Sequence, residues 1–165
     1  MLRTIIEKEL EEYYELMSNI DNMGEYIQPN ISSQKQFIDY SREHNWDTDN
    51  GFFVISDQNN SILGIISFKK PAHYLNCYEI GFVIFKPENR GKGYISEAIN
   101  LFVSYLFDIK NVERLQATVN SNNKPSIKVL ERCGFKYEGT LRKALFFKGK
   151  NSDIMIYSVL RNEIE

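Results

Sequence analysis

An apolar strand, a glycine-rich turn and an apolar helix follow one another in this chain, and this order most constrains its fold. The run Tyr78 to Phe85 predicts a strand, and Pro87-Glu88-Asn89 predicts a turn after it. Apolar residues then recur at helical spacing after the segment Arg90-Gly91-Lys92-Gly93-Tyr94-Ile95-Ser96. Glycine lets a ligand approach the backbone, and a helix start carries free N–H groups and partial positive charge. The turn therefore predicts a pyrophosphate site.

Spacing separates the phosphate-binding families that use such a turn. No Gly-x-x-x-x-Gly-Lys-Ser/Thr string occurs, so a Walker loop is excluded. A dinucleotide fold places a third glycine where this chain has Ser96, and it wants an acidic residue where the next predicted strand ends in Val119-Asn120. The pattern that remains is Arg/Gln-x-x-Gly-x-Gly/Ala, which Arg90 and Gly93 satisfy and from which Ile95 departs.

Three strings in order carry a family resemblance. They are Pro87 to Ala98 with the glycine-rich turn, Val119-Asn120 with Asn123-x-x-Ser126, and Gly134-Phe135 with Glu138-Gly139-x-Leu141-Arg142. With these strings the chain resembles the GNAT acetyltransferase superfamily, and its RimJ/RimL branch in particular, over roughly residues 50 to 160. The resemblance implies a GNAT-like α/β fold of mixed α+β type. It has a single central, mixed, mostly antiparallel sheet with helices on both faces, in one domain spanning residues 1–165.

The pattern along the chain agrees with that order of elements. Helical patterns fill the first third, strands and helices alternate in the middle, and two strands close the chain. The predicted elements include a helix over Ile31 to Glu43 capped by Ser32 or Ser33, a hairpin of Phe52 to Ile55 with Ile62 to Phe68, a strand over Leu115 to Val119, a helix over Lys124 to Cys133, and strands over Tyr137 to Phe147 and Ile154 to Leu160.

Composition limits the function classes. The 165 residues with 42% hydrophobic content predict one compact domain, and a formal net charge of -2 argues against a nucleic-acid surface. No apolar run approaches the roughly 20 residues that cross a bilayer. Cys77 and Cys133 lack CxxC spacing and nearby histidines, so free thiols are expected. We therefore expect a cytoplasmic, metal-free protein, monomeric or homodimeric, that binds neither nucleic acid nor membrane.

The resemblance implies acetyl-coenzyme A as cosubstrate. Its pyrophosphate would lie on the turn, and its pantetheine arm would contact Asn123 and the backbone of Val83, Ile84 and Phe85; the same strand residues also suit an ordinary core strand. The implied turn residues are Arg90, Gly91, Lys92, Gly93, Tyr94, Ile95 and Ser96.

Glu79 is the candidate general base. It is the one acidic residue in the apolar strand, and many members of the family use a glutamate here, acting through water. The alternative is a strand glutamate paired with a lysine or arginine. RimL-like relatives have a base at the position that corresponds to Leu145, which cannot take a proton here.

Ser126 is the candidate general acid. Many GNAT enzymes use a tyrosine four residues later, but here that position is Leu130. In RimL-like relatives the serine lies near the departing sulfur. Two alternatives stay open: Asn122 or Asn123 with Pro125 simply starts a helix here, or a bound water supplies the proton.

The sequence therefore predicts an N-acetyltransferase that moves an acetyl group to a primary amine by direct attack in a ternary complex. The acceptor is a protein N-terminus or a small amine, and Tyr26 and Trp46 are the predicted pocket aromatics, with acidic Glu25, Asp47 and Asp49 nearby. The alternatives are a non-catalytic module that binds or senses acetyl-coenzyme A, and, more weakly, a nucleotide-binding α/β protein.

Overall fold

The computed structural model describes residues 1–27, 32–44 and 46–164, with Phe147 described by its backbone alone. Within these residues the strands are β1 Leu2–Arg3, β2 Asn50–Ser56, β3 Ile62–Lys69, β4 Tyr78–Ile84, β5 Arg114–Asn120, β6 Lys136–Phe147 and β7 Lys150–Leu160. The α-helices are α1 Leu10–Ser18, α2 Ile20–Met23, α3 Gln34–His44, α4 Tyr94–Ile109 and α5 Lys124–Arg132. Short 3-10 turns cover Glu7–Glu9, Pro87–Asn89 and Arg161–Glu163.

The seven strands form a mixed sheet in the order β1-β2-β3-β4-β5-β7-β6. β4 and β5 are parallel, whereas β1 with β2, β5 with β7 and β6 with β7 are antiparallel. The parallel ladder joins Tyr78 to Leu115 and Glu79 to Gln116. This arrangement confirms the predicted mixed fold class.

The chain divides into two compact units, and the first comprises Met1–Phe68 with Phe82–Ala98. Its core forms where the apolar faces of α1 and α3 meet β2, β3 and Phe85. Tyr13 lies at its centre, with its ring 5.0 Å from that of Phe37 and 5.1 Å from that of Phe52. Burial of these large rings stabilises this unit.

The second unit comprises Lys69–Gly81 and Ile99–Glu165. Its fully buried side chains come from α4, β5, α5 and β7, among them Phe102, Leu106, Leu115, Leu130, Tyr157 and Val159. Gly134 closes α5 as predicted: it follows the C-cap Cys133, and its φ of 83° favours glycine. The N–H of Gly134 donates to Glu131 and that of Phe135 to Leu130, which satisfies the last carbonyls of the helix.

Two predicted boundaries were wrong. β7 begins at Lys150 rather than Ile154, because Lys148 and Gly149 have φ of 51° and 75° and form a two-residue hairpin turn. α3 begins at Gln34, where Ser33 and Gln36 exchange side-chain hydrogen bonds and cap the helix. Ile31, at which the predicted helix began, lies outside the described residues.

Candidate active site

Arg90, which begins the glycine-rich turn, uses its side chain to bind backbone carbonyls. Its Nε donates to the carbonyl of Ile84 (3.1 Å), and its Nη2 donates to those of Phe85 (2.8 Å) and Asn22 (2.7 Å). The 3-10 turn Pro87–Asn89 brings the side chain back towards β4. Arg90 therefore fixes the residues at the end of β4 and in α2, and the turn starts from a defined position.

The two glycines of the turn have backbones that other residues rarely adopt. Gly91 has a φ of 74° and Gly93 one of 89°, both are exposed, and a Cβ built on either meets no described atom within 4 Å. α4 begins directly after them at Tyr94, and its first hydrogen bond runs from Glu97 N to Gly93 O (3.1 Å). The N–H groups before Glu97 thus have no acceptor within the helix.

This geometry fits a pyrophosphate. Open space lies beside the backbone of both glycines, the start of α4 carries partial positive charge, and Lys92 is exposed in the middle of the turn. Tyr94, Ile95 and Ser96 are half-buried in the first turn of α4.

The candidate arm-binding residues of β4 differ in burial. Val83 is half-buried, while Ile84 and Phe85 are buried. Phe85 N donates to Leu63 O (3.0 Å), and its ring belongs to the core of the first unit. A Cβ at Gly64 would lie 2.0 Å from the carbonyl oxygen of Val83, so the close approach of β3 to β4 requires glycine there.

Glu79 lies in the second unit with two hydrogen-bonding or ionic partners. Its Oε2 accepts a hydrogen bond from Gln116 Nε2 (3.1 Å), and its Oε1 lies 3.4 Å from Lys69 Nζ. The Glu79 side chain is 15% exposed, whereas that of Lys69 is 67% exposed. The carboxylate is therefore held on one oxygen by a half-buried amide, and on the other it meets a long, largely solvated cation.

The sequence did not single out Lys69 or Gln116. Lys69 is the last residue of β3, and Gln116 is the register partner of Glu79 on β5. Gln116 stands in sequence between two buried residues of β5, Leu115 and Ala117, and strand alternation points its side chain to the opposite face from theirs. A half-buried polar residue in such a strand was the indication that the sequence offered.

Ser126 and Asn123 come together at the start of α5. Asn123 is the N-cap, and its Oδ1 accepts from the backbone N–H of Ser126 (3.3 Å). This contact uses the Ser126 amide and leaves its hydroxyl available; none of the described residues is a partner of that hydroxyl. Leu130 is 1% exposed and belongs to the core, whereas Ser126 is half-buried in the first turn of α5.

Two of the remaining candidate residues lie in ordinary packing or pairing contacts of the fold. Leu145 is a half-buried residue of β6 opposite Ser152. Trp46 packs against Phe53 and Phe68 with ring centroids 5.0 Å apart in each case.

Asp47 caps its own loop by accepting from the N–H groups of Asp49 and Asn50 (2.8 Å each). These hydrogen bonds, that from Asn50 first, lower the pKa of Asp47.

Within the described ranges, no cluster of three or more His, Cys, Asp or Glu residues could hold a metal ion. Cys77 and Cys133 form no disulfide bond among the residues that the structure describes. Among the helices that the structure describes, none is long and apolar enough to cross a membrane.

The turn and the residues Val83, Ile84 and Phe85 thus lie in the first unit, and Glu79, Asn123 and Ser126 lie in the second. Comparison with known proteins gives this arrangement a family. The model of the acetyltransferase (GNAT) domain matches residues 1–136. The uncharacterized N-acetyltransferase p20 of Bacillus licheniformis is 32% identical over 114 residues, 69% of this chain but 64% of p20, so the match spans less than two thirds of that relative.

Two further comparisons cover nearly the whole chain. The spermidine N(1)-acetyltransferase of Vibrio cholerae is 24% identical over 98% of this chain and 93% of its own length. The crystal structure of spermidine N-acetyltransferase from Vibrio cholerae in complex with CoA and spermine has a TM-score of 0.86, 25% identity, and coverage of 99% of this chain and 96% of that one. The chain belongs to the GNAT acetyltransferase family, and it is an N-acetyltransferase whose cosubstrate is acetyl-coenzyme A.

Proposed function

We propose that this enzyme acetylates a primary amine of a small polycation of the spermidine class, by direct attack in a ternary complex. The observation that carries the proposal is the pairing of Glu79 with Lys69. The Glu79 carboxylate is 15% exposed, and the alkylammonium group of Lys69 lies 3.4 Å from its Oε1. The end of a polyamine carries the same kind of alkylammonium group. The spermidine acetyltransferases similar to this chain support the same acceptor class.

In this proposal, positively polarised groups of the protein bind the negatively charged pyrophosphate. The N–H groups of the turn from Gly91 to Ser96 and the Lys92 ammonium bind the pyrophosphate, and Arg90 positions that turn through its carbonyl contacts. Asn123 and the backbone of residues 83 to 85 orient the pantetheine arm. Bound acetyl-coenzyme A supplies the activated acetyl thioester.

Two side chains move protons. Glu79 binds the incoming ammonium and takes up its proton, directly or through water, so that the neutral amine attacks. Ser126 passes its hydroxyl proton to the departing thiolate and regains a proton, directly or through water, from the attacking nitrogen, which loses its second proton as the amide forms; its hydroxyl is available for this at the half-buried start of α5. No protein nucleophile is needed for this route.

The three-part sequence pattern also supports a RimJ/RimL-like branch, whose acceptor would be a protein N-terminus. The two acceptors differ in charge: a polyamine carries several ammonium groups, whereas a peptide N-terminus carries one on an otherwise neutral backbone. Glu79 can bind the reacting ammonium group of either acceptor, and the similarity to spermidine acetyltransferases favours the polyamine.

A panel of acceptors tests the proposal. Release of free coenzyme A thiol is measured with spermidine, spermine, lysine and a set of peptides with free N-termini. We expect the largest kcat/KM with spermidine or spermine. Turnover with peptides alone would replace the polyamine assignment by the N-terminal one, and binding of acetyl-coenzyme A without turnover of any amine would favour the non-catalytic binding module.

A further inference from the structure

We infer that Gln116 is a positioning residue that orients Glu79, and that the ion pair of Arg114 with Glu138 holds Gln116 in place. The inference rests on the proposed function, because it takes Glu79 as the group that receives the proton of the amine. Glu138 gains a role in this way. It belongs to the string Glu138-Gly139-x-Leu141-Arg142, to which the family resemblance assigned no function.

Gln116 makes contacts of opposite kinds with its two amide atoms. Its Nε2 donates to Glu79 Oε2 (3.1 Å), while its Oε1 accepts from Arg114 Nη2 (3.3 Å) and lies 3.8 Å from Cys77 Sγ. A carboxylate can only accept and a guanidinium can only donate. An amide is the side chain that satisfies both neighbours at once, and its orientation is fixed by them.

Arg114 is also bound to the Glu138 carboxylate. Arg114 Nη2 donates to Glu138 Oε2 (2.6 Å), Nη1 donates to Oε1, and Ser158 Oγ donates to Glu138 Oε1 (2.6 Å). Paired N–H groups on a carboxylate give a directional contact. The hydrogen bonds from Arg114, and secondarily that from Ser158, lower the pKa of Glu138, so the pair remains charged at neutral pH.

The sheet itself sets the spacing of this chain of contacts. Glu79 is the register partner of Gln116 on β5, and Gln116 is that of Ser158 on β7. Register partners project their side chains to the same face of a sheet, and so does Arg114, two residues before Gln116. Glu138 stands at the register shift of β6 between Tyr137 and Gly139, where an irregular strand can re-aim a side chain.

The contacts make the two oxygens of Glu79 unequal. Oε2 is held by Gln116, whereas Oε1 lies next to Lys69, which is 67% exposed and thus loosely held. A cationic acceptor can displace Lys69 from Oε1 without disturbing Gln116. Gln116 therefore keeps the carboxylate in a single orientation while the acceptor exchanges.

A double-mutant cycle between Glu79→Gln and Gln116→Met tests this role. Gln116→Met keeps the length of the side chain and removes both hydrogen bonds. We expect kcat with the best amine of the panel to fall roughly tenfold, as for loss of a hydrogen bond to a charged group, with KM for acetyl-coenzyme A unchanged. Because Gln116 acts through Glu79, Gln116→Met should cause little further loss in the Glu79→Gln background. Gln58→Met, the same change in an exposed turn, is the control.

A second variant keeps the test decisive if Gln116→Met does not fold. Gln116→Glu preserves shape and the contact with Arg114 but replaces the donor facing Glu79 by an acceptor, so kcat should fall at least as far. Full kcat in a folded Gln116 variant, or additive losses in the cycle, would overturn the inference while leaving Glu79 as the base. Unchanged kcat in Glu79→Gln would overturn both this inference and the proposed role of Glu79.

Discussion

Arg90 Nη2 donates a hydrogen bond of 2.7 Å to the backbone carbonyl of Asn22, 68 residues earlier in the chain. The same nitrogen and Nε also bind the carbonyls of Phe85 and Ile84. One guanidinium thus joins α2, the end of β4 and the glycine-rich turn. In the first unit the position of the amides that we propose for the pyrophosphate depends on this contact.

Arg90→Met should therefore affect both stability and cosubstrate binding. It leaves three carbonyls without their donor, so we expect the free energy of unfolding to fall by about 1–3 kcal/mol. The affinity for acetyl-coenzyme A should fall as well, because the turn loses its support. Urea unfolding and calorimetric titration measure the two effects. Arg132→Met, which removes an exposed arginine from α5, should change neither.

Gly93→Ala tests the turn directly. The added Cβ meets no described atom, so the expected cost comes from the φ of 89° and is about 1–2 kcal/mol of backbone strain. Relief of that strain would move the amides, and the rise in melting temperature that acetyl-coenzyme A causes in the wild type should disappear. Gly139→Ala is the matched control, because its Cβ also enters open space but the φ of Gly139 lies outside the left-handed region. A full thermal shift in Gly93→Ala would exclude the turn as the pyrophosphate site.

Ser126→Ala separates acid catalysis from helix capping. Asn123 caps the helix through the backbone N–H of Ser126, which alanine retains, so stability should change by less than about 1 kcal/mol. As the acid, Ser126 should contribute at least about tenfold to kcat, with the affinity for acetyl-coenzyme A intact. Asn123→Ala should instead lower the melting temperature. Unchanged kcat in Ser126→Ala would assign the proton to water.

The pair of Glu9 with Arg3 predicts a pH dependence of stability. Two hydrogen bonds of 2.8 Å from Arg3, assisted by one from the N–H of Ile6, lower the pKa of Glu9 below its ordinary value of 4.5. A lowered carboxyl pKa stabilises the folded state above the ordinary value and loses this effect as pH falls through the lowered one. Glu9→Gln should therefore destabilise the protein at pH 7 by about 1–2 kcal/mol, and the difference should shrink below pH 4.5. Urea unfolding across this range measures it; a constant difference would contradict the pairing.

The local pattern of residue types predicted those elements of the fold whose conformation depends on residues close in sequence. The strand before the turn, the glycines of the turn and the helix after it follow from spacing and from the conformations that glycine allows. The cap at Asn123 and the left-handed backbone of Gly134 after α5 follow from the same rules.

Contacts between distant segments were not accessible in this way. Lys69 and Gln116 contact Glu79 because β3, β4 and β5 are neighbours in the sheet. Hydrophobic periodicity predicts that a segment is a strand, but it does not predict which residues of two strands pair. Arg90 was assigned to the pyrophosphate by its place in the turn, whereas its side chain binds carbonyls that lie up to 68 residues away.

We expect the acetyl group to pass directly from acetyl-coenzyme A to the amine. Incubation with acetyl-labelled acetyl-coenzyme A and spermidine, followed by mass spectrometry of the polyamine and of the intact protein, tests it most directly. The expected result is labelled N-acetylspermidine, no label on the protein at any time, and a rate that falls by about 10²- to 10⁴-fold in Glu79→Gln. Label on the protein that then passes to the amine, or label recovered only as free acetate, would contradict it.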